Sequence, residues 1–177
     1  MSNTADVLII GGGVHGASLA FHLAQRGVKA IVLEKSFVAA AATGRSSGLV
    51  RMHYDTEASS RLAWLSFQYF RNWRELVGGE CGFSRTGFLQ IAGTDLEEAL
   101  KVNTAMQQSL GIATLLITAG DVKRLAPSFA TDDFTLAAYE PESGYAMPAD
   151  TANALMTAAR ERGARLVQGC EVTAIHV

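Results

Sequence analysis

The chain has 177 residues, of which 49% are hydrophobic and 18% charged, and its formal net charge is −2. This composition allows an apolar core without disulfides or metals and argues against intrinsic disorder. The near-neutral charge argues against a general attraction to nucleic acids or anionic membranes. Cys81 and Cys170 lack a CxxC spacing, which favours a reducing compartment. No basic leader precedes the short apolar run at Val7–Ile10, so we expect a soluble cytoplasmic protein without a membrane span.

The start of the chain predicts a βαβ unit. Val7–Ile10 is a short apolar run with β-branched residues, typical of a strand that is buried on both faces of a parallel sheet. Small residues along one side of Val14–Gln25 predict a helix, which Gly27 ends. A second buried strand is predicted at Ala30–Leu33, and the whole has the length of a βαβ unit.

A long helical pattern begins near Thr56. Its apolar residues recur at helical spacing, and we interpret them as one core-facing stripe that ends at Gly78-Gly79: Leu62, Leu65, Tyr69, Trp73 and Leu76.

The remaining sequence predicts alternating strands and helices. Thr94–Glu97 has the pattern of a capping box, and it would begin a helix that buries Leu96, Leu100 and Leu110 and ends at Gly111. Asp150 is predicted to cap a last helix through Arg162. Strands are predicted at Phe88–Ala92, Thr114–Thr118, Phe134–Tyr139, Arg165–Gln168 and Glu171–Val177, with a turn over Glu140–Gly144. Because the last strand is followed by no cap or turn, we expect a chain that is truncated within a domain.

A glycine motif lies between the first strand and the helix. Gly11-Gly-Gly13-Val14-His15-Gly16 has the GxGxxG pattern. Gly11 permits the tight turn, Gly13 lets the backbone approach a pyrophosphate, and Gly16 permits close packing of helix and strand. The N–H groups and the dipole at the helix start favour phosphate binding. The His15 side chain is expected to face away from the phosphates.

Glu34 ends the second strand and follows Gly16 by 18 residues, close to the spacing of about 20 expected for an acid that binds the cofactor ribose. Its carboxylate disfavours the 2′-phosphate of NADP. From these residues alone, the choice between FAD and NAD stays open. The sequence shows no metal-ligand spacing, no Ser-His-Asp or Cys-His nucleophile arrangement and no HExxH motif, so hydrolytic or zinc chemistry has little support.

A second motif, Ala42-Thr-Gly-Arg-Ser-Ser-Gly-Leu-Val-Arg51, follows Glu34 by eight residues. Together with four other segments it resembles the glutathione-reductase-type flavoproteins of the D-amino-acid oxidase and sarcosine oxidase superfamily. These segments are the Gly11 loop, Glu34-Lys35, Leu125-Ala-Pro127 and Gly144–Pro148. The resemblance runs from about Asp6 to Val177 and covers the first half of such a protein.

The resemblance implies FAD, with the loop running along the pyrophosphate, ribityl chain and flavin, and with the backbone near Val172 at the adenine. Glycines keep the loop backbone accessible, while its hydroxyls and one arginine supply polar groups. In another context this segment would be an ordinary polar loop. The predicted cofactor-binding residues are Gly11, Gly13, Val14, His15, Gly16, Glu34, Lys35, Thr43, Gly44, Arg45, Ser46, Ser47, Gly48, Leu49 and Val172.

The implied fold class is α/β, a glutathione-reductase-type, Rossmann-like FAD-binding domain with the start of an α+β substrate domain. Residues 1–51 would form the first part of the FAD-binding domain and residues 148–177 its return segment. Residues 52–147 would form part of the substrate-binding domain.

Similar enzymes transfer a hydride from the carbon beside an amine to the flavin. The resemblance therefore implies oxidation of an amine or amino acid of the sarcosine, glycine or D-amino-acid type. In sarcosine-oxidase-like relatives an arginine at the place of Arg51 faces the substrate carboxylate, so Arg51 is the first catalytic candidate and His53 and Tyr54 are second. The chain departs from those relatives around Thr43–Ser47, which leaves substrate specificity open. The implied electron acceptor is oxygen or a redox partner, and a homo- or hetero-oligomer is compatible with the resemblance.

Two alternative functions remain open. A flavin-dependent 2-hydroxy-acid or glycerol-phosphate dehydrogenase would share the fold and the first motif. A non-catalytic nucleotide-binding subunit or fragment would hold the ADP half of a nucleotide and serve assembly. A flavin absorbance band favours the enzyme, and a colourless protein favours the subunit.

Overall fold

The computed structural model describes residues 4–176. In chain order its elements are β1 (Val7–Ile10), α1 (Val14–Gln25), β2 (Ala30–Leu33), β3 (Leu49–Val50), α2 (Glu57–Arg71), α3 (Trp73–Leu76), β4 (Phe88–Ile91), α4 (Glu97–Ser109), β5 (Leu115–Thr118), α5 (Ala119–Leu125), β6 (Leu136–Glu140), β7 (Gly144–Tyr145), α6 (Pro148–Glu161) and β8 (Arg165–Val167). Short 3-10 turns span Thr43–Arg45 and Thr94–Leu96. These elements divide into two compact units. Within residues 4–176, no helix is both long and apolar enough to span a membrane.

Unit 1 comprises the residues up to Gly48, the segment Asn72–Phe83 and the residues from Ala146 onward. Its parallel sheet has the order β1-β2-β8, and α1 packs against α6. In the central strand, Val32 is fully buried between its two neighbours. The predicted succession of strand, glycine turn, helix and strand is confirmed, and the α/β fold class with it.

The first strand is less buried than predicted. Ile9 is buried and lies close to Gly16 of α1, but Leu8 and Ile10 are 62% and 59% exposed. Successive side chains of a strand point to opposite faces. Only the Ile9 face of β1 is covered within the described part of the chain, so the prediction of a strand buried on both faces is wrong for β1.

Unit 2 comprises Leu49–Arg71 and Ser84–Tyr145. Its antiparallel sheet has the order β4-β6-β5, with Phe88 of β4 opposite Glu140 of β6. Strands β3 and β7 form a separate two-residue ladder. A small core cluster of Val122, Phe134 and Ala137 holds α5 against the larger sheet. The strands predicted near Phe88, Thr114 and Phe134 are confirmed, with small differences at their ends.

One segment packs differently from the predicted domains. Asn72–Phe83 belongs to unit 1, although residues 52–147 were predicted as one partial domain. Trp73, Val77 and Cys81 are buried in this segment, and the Met147 N–H donates a hydrogen bond to the Cys81 carbonyl at 2.8 Å. The roles of the two units in cofactor and substrate binding stay predictions.

The long helical pattern forms two helices, and its stripe is not the core. α2 ends at Arg71 and α3 begins at Trp73. Trp73 is buried, but Leu62 and Leu65 are 67% and 60% exposed. The buried side of α2 instead carries Ser60 and Phe67. Helical spacing identifies side chains that share a face, but the tertiary partner determines which face is buried.

Two predicted helix starts are wrong. Thr94 begins a 3-10 turn, and the N-terminus of α4 has no side-chain cap bond within the described residues. α6 begins at Pro148, so Asp150 lies in its first turn rather than at its cap. The capping box instead begins α5. There Thr118 Oγ1 accepts from the Asp121 N–H, and the Asp121 carboxylate accepts from the Thr118 N–H.

The predicted strand at Glu171–Val177 is wrong over residues 171–176, and Val177 lies outside the described residues. A strand is defined by hydrogen bonds to a neighbouring strand. Within residues 4–176, no strand pairs with this segment. Just before it, the Cys170 N–H donates to the Glu34 carbonyl at 3.0 Å.

Candidate functional site

The glycine turn in unit 1 brings β1 and α1 into close contact. Gly11 has φ of +100°, and its N–H donates to the Leu33 carbonyl at 2.8 Å. A Cβ on Gly16 would overlap the Gly11 carbonyl. Gly13 is the N-cap of α1 and offers no side chain to the first N–H groups of the helix. This is the close approach that the sequence predicts.

Glu34 is fixed beside this turn. Its side chain is buried at the end of β2, and its Oε2 accepts from the Gly12 N–H at 2.6 Å. Its Oε1 accepts from the Ser36 N–H at 2.7 Å. Two carboxylate oxygens offer about four acceptor positions. Glu34 therefore keeps capacity to accept hydrogen bonds from a ribose while it holds both backbone segments.

The second motif folds back onto the start of α1. Thr43 Oγ1 accepts from the Val14 N–H at 2.9 Å, and a Cβ on Gly13 would lie 3.0 Å from the same oxygen. The first N–H groups of a helix have no intrahelical partner. Thr43 satisfies one of them, although the sequence only predicts Thr43 as a hydroxyl near the cofactor.

The rest of the motif is held by its glycines. Gly48 has φ of +68°, and a Cβ there would overlap the Ala146 carbonyl. The Ala146 N–H in turn donates to the Gly48 carbonyl at 2.9 Å, and Ser46 Oγ accepts from the Gly48 N–H at 3.1 Å. The other predicted cofactor-binding residues are exposed or partly exposed: His15, Lys35, Gly44, Arg45, Ser47, Leu49 and Val172.

Arg51 lies in unit 2, two residues after Leu49. Its guanidinium stacks over the Tyr54 ring at 4.8 Å and over the Phe88 ring at 5.2 Å. None of the ion pairs in residues 4–176 involves Arg51. Two aromatic rings thus hold a half-buried cation whose donors are not taken by a carboxylate of the described chain. A planar guanidinium in this state is suited to bidentate binding of a carboxylate.

His53 is buried next to this arginine. It is 3% exposed, and its Nδ1 has no hydrogen-bond partner within the described residues. Burial lowers the pKa of His53 below 6.5, Arg51 adds to this effect, and Glu140 and Asp55 oppose it. The imidazole is therefore neutral at pH 7.

Glu140 is a site residue that no sequence motif predicts. It lies at the end of β6, fully buried, and its Oε2 accepts from the Met52 N–H at 2.9 Å. The sequence places it at the start of a turn, where a glutamate is expected at the surface. The only feature of the sequence that could identify Glu140 as a site residue is its position directly after an apolar strand.

The family model described as FAD dependent oxidoreductase (DAO) matches residues 6–177. The chain belongs to this family of FAD-dependent oxidoreductases. The resemblance noted from the motifs is thereby confirmed, and FAD is the cofactor on which the family depends.

Individual relatives are similar over nearly the whole chain. Mitochondrial sarcosine dehydrogenase from Mus musculus is 30% identical over 181 residues, which cover 100% of this chain and 20% of that protein. The mitochondrial pyruvate dehydrogenase phosphatase regulatory subunit from Mus musculus is 31% identical, over 98% of this chain and 20% of that protein. L-proline dehydrogenase from P. horikoshii superimposes with a TM-score of 0.89 at 30% identity, over 98% of this chain and 46% of that chain. The chain therefore spans less than half the length of these relatives.

The residues of unit 1 fit FAD, the cofactor of the family. Gly13 and Gly16 leave room where a side chain would obstruct the turn, and the first turn of α1 presents N–H groups suited to a pyrophosphate. Glu34 presents a fixed carboxylate of the kind that binds ribose hydroxyls. When bound, FAD supplies hydride acceptance, and the protein supplies binding and orientation.

Proposed function

We propose that this oxidoreductase oxidises a small amine that carries a carboxylate, an amino acid or N-substituted amino acid, with Arg51 holding the carboxylate. The observation that carries the proposal is the ring-stacked guanidinium of Arg51, which forms no ion pair within residues 4–176. Sarcosine and L-proline, the substrates named for two of the relatives, each carry a carboxylate and a secondary amine.

The proposed role of Arg51 is orientation. A carboxylate held by two parallel N–H donors has a fixed direction, so the carbon beside the amine is presented in one orientation. FAD held by the glycine turn and Glu34 would supply hydride acceptance for the oxidation of this carbon, the substrate nitrogen would release a proton, and water would hydrolyse the resulting imine. Neutral His53, whose Nδ1 has no hydrogen-bond partner among the described residues, is a second-rank candidate for receiving that proton, and Tyr54 supports the guanidinium.

The test compares Arg51→Ala and Arg51→Lys in the FAD-loaded protein. Removing the guanidinium should raise KM strongly and lower kcat/KM by a factor that corresponds to about 2–5 kcal/mol. Lysine keeps the charge but loses the planar fork, so it should restore only part of kcat/KM. Arg85→Ala removes an exposed arginine of the same unit and is the matched control. Unchanged kinetics, or loss of FAD instead of substrate affinity, would contradict the proposed role of Arg51.

A second candidate function is a non-catalytic, regulatory role, which the similarity to a phosphatase regulatory subunit favours. The two functions separate in an anaerobic titration of the FAD-loaded protein with sarcosine, proline, glycine and 2-hydroxy acids. Bleaching of the flavin band by an amino acid supports the enzyme, and bleaching by a hydroxy acid alone supports the 2-hydroxy-acid dehydrogenase. A flavin that none of these compounds reduces supports the regulatory role.

A further inference from the structure

Glu140 is a buried carboxylate that forms no ion pair with a cation of the described residues. It is 0% exposed, and none of the ion pairs in residues 4–176 includes it. Its Oε2 accepts from the Met52 N–H at 2.9 Å and from Ser143 Oγ at 2.6 Å, and its Oε1 accepts from Thr114 Oγ1 at 3.5 Å. One backbone amide and two hydroxyls therefore satisfy it.

Core packing alone does not account for this side chain. Burying a carboxylate costs more free energy than burying an apolar or amide side chain of similar size, unless a specific set of donors surrounds it. The structure builds such a set from three separate parts of unit 2: Met52 after β3, Thr114 before β5 and Ser143 in the turn after β6. The Met52 amide is the donor nearest in sequence to Arg51.

Glu140 reaches Arg51 by two routes. Its side chain holds the Met52 N–H, between Arg51 and His53 in the chain. Its backbone lies opposite Phe88 in the β4–β6 ladder, and the Phe88 ring supports the guanidinium at 5.2 Å. The Glu140 side chain thus orders the backbone that carries the arginine, while the backbone ladder places the strand that carries its aromatic support.

We propose that Glu140 is a positioning residue for Arg51, which sets the guanidinium in the geometry that binds a substrate carboxylate. This inference rests on the proposed function, in which Arg51 holds that carboxylate. Glu140 touches neither substrate nor cofactor and acts through the Met52 N–H that it holds.

The test uses the FAD-loaded protein and two substitutions with different hydrogen-bonding ability. Glu140→Ala removes the acceptor for the Met52 N–H. Glu140→Gln keeps it, because the amide oxygen can accept from Met52 and Ser143 while the amide nitrogen donates to Thr114 Oγ1. Glu142→Gln is the matched control, since Glu142 lies two residues away and pairs with Arg71 at the surface, 3.8 Å apart.

The readouts are the Kd of propionate, followed by the change in flavin absorbance, and the split between KM and kcat for an amino-acid substrate. Glu140→Ala should weaken propionate binding by roughly tenfold and raise KM more than it lowers kcat, as expected for the loss of one ordering hydrogen bond. Glu140→Gln should restore binding to within about threefold of the wild type. Propionamide, the neutral isostere, should bind alike in all variants.

Flavin content and melting temperature are measured in parallel. A lower melting temperature with unchanged propionate affinity in Glu140→Ala shows a purely structural role and overturns the inference. If Glu140→Ala does not fold, Ser143→Ala replaces it, because it removes one of the bonds that orient the carboxylate. Ser143→Ala should weaken propionate binding by about threefold, and an unchanged Kd would count against positioning.

Arg51→Ala distinguishes this inference from the proposed function. If Arg51→Ala weakens propionate binding and the Glu140 variants do not, the carboxylate role of Arg51 stands and the positioning role of Glu140 fails. If Arg51→Ala also binds propionate normally, both fail.

Discussion

Glu34 lies where the sequence predicts binding of the cofactor ribose, and its carboxylate accepts hydrogen bonds from the N–H groups of Gly12 and Ser36. A carboxylate is suited both to binding the ribose and to holding the glycine turn, because it only accepts hydrogen bonds and has two oxygens in a fixed plane. The sequence predicts the ribose contact from the spacing after the glycine motif. It does not predict that the same side chain also holds the glycine turn.

Glu34→Gln should weaken FAD binding by about 1–3 kcal/mol in free energy, because one acceptor oxygen becomes a donor that faces a backbone N–H. The Kd is measured by titrating the apoprotein with FAD and following the quenching of flavin fluorescence. Glu161→Gln, which changes an exposed carboxylate of α6 in the same unit, is the control. Equal FAD affinities in the two variants would refute the ribose role.

Because of His53, we expect the free energy of unfolding to decrease in mild acid. Burial lowers the pKa of His53 in the folded protein below its ordinary value of 6.5, so the unfolded chain binds a proton more readily. The contribution of His53 to the free energy of unfolding is fully present above pH 6.5 and decreases as the pH falls from there toward the folded-state pKa.

The measurement is urea unfolding at pH 7.5 and pH 5.5. His53→Gln should lose less stability between these two pH values than the wild type, because glutamine does not titrate. His176→Gln removes an exposed histidine and should behave like the wild type. An identical pH dependence in His53→Gln and the wild type would show that His53 does not cause the loss.

At the scale of elements, the loop from Thr43 to Gly48 owes its path to contacts far away in the chain. Its first residue bonds to the start of α1, and its last residue pairs with Ala146 before α6. Only glycine combines a positive φ with such a close backbone approach at modest cost.

Gly48→Ala should therefore destabilise the protein by more than about 2 kcal/mol, since both the backbone angle and the Ala146 carbonyl oppose a Cβ. Gly120→Ala should have the opposite effect on stability. Gly120 lies in α5, where an added Cβ meets other atoms at 3.7 Å or more, and alanine there should stabilise by up to about 1 kcal/mol. The change in the free energy of unfolding of each variant is measured by thermal unfolding of the apoprotein. Similar changes in the two variants would contradict the strain assigned to Gly48.

At the scale of the whole molecule, the family assignment covers residues 6–177, while the chain spans only part of each relative described above. FAD bound to the folded state should raise the free energy of unfolding, by about 2.7 kcal/mol when the free FAD concentration is 100 times Kd. NAD should give no such protection. The melting temperature measured across a range of FAD and NAD concentrations checks this, and protection by NAD alone would be incompatible with the FAD site.

Elements and motifs that depend on local chemistry could be predicted from the amino-acid sequence alone. The bounds of β1, α1 and β2 follow from apolar runs separated by a glycine turn, and the spacing after the glycine motif indicates the position of Glu34. These features were predictable because neighbouring residues in the chain enforce them through backbone angles and hydrogen bonds.

Features that depend on partners far away in the sequence became visible only in the folded chain. Helical spacing grouped Leu62 with Leu65 but did not show that their face is exposed, because burial depends on which other element covers a helix. The burial of Glu140 could not be predicted either, since a glutamate at a turn is normally solvated. It is buried because the Met52 amide and Thr114, both far away in the sequence, converge on it together with Ser143 of the adjacent turn, and no local pattern encodes such a convergence.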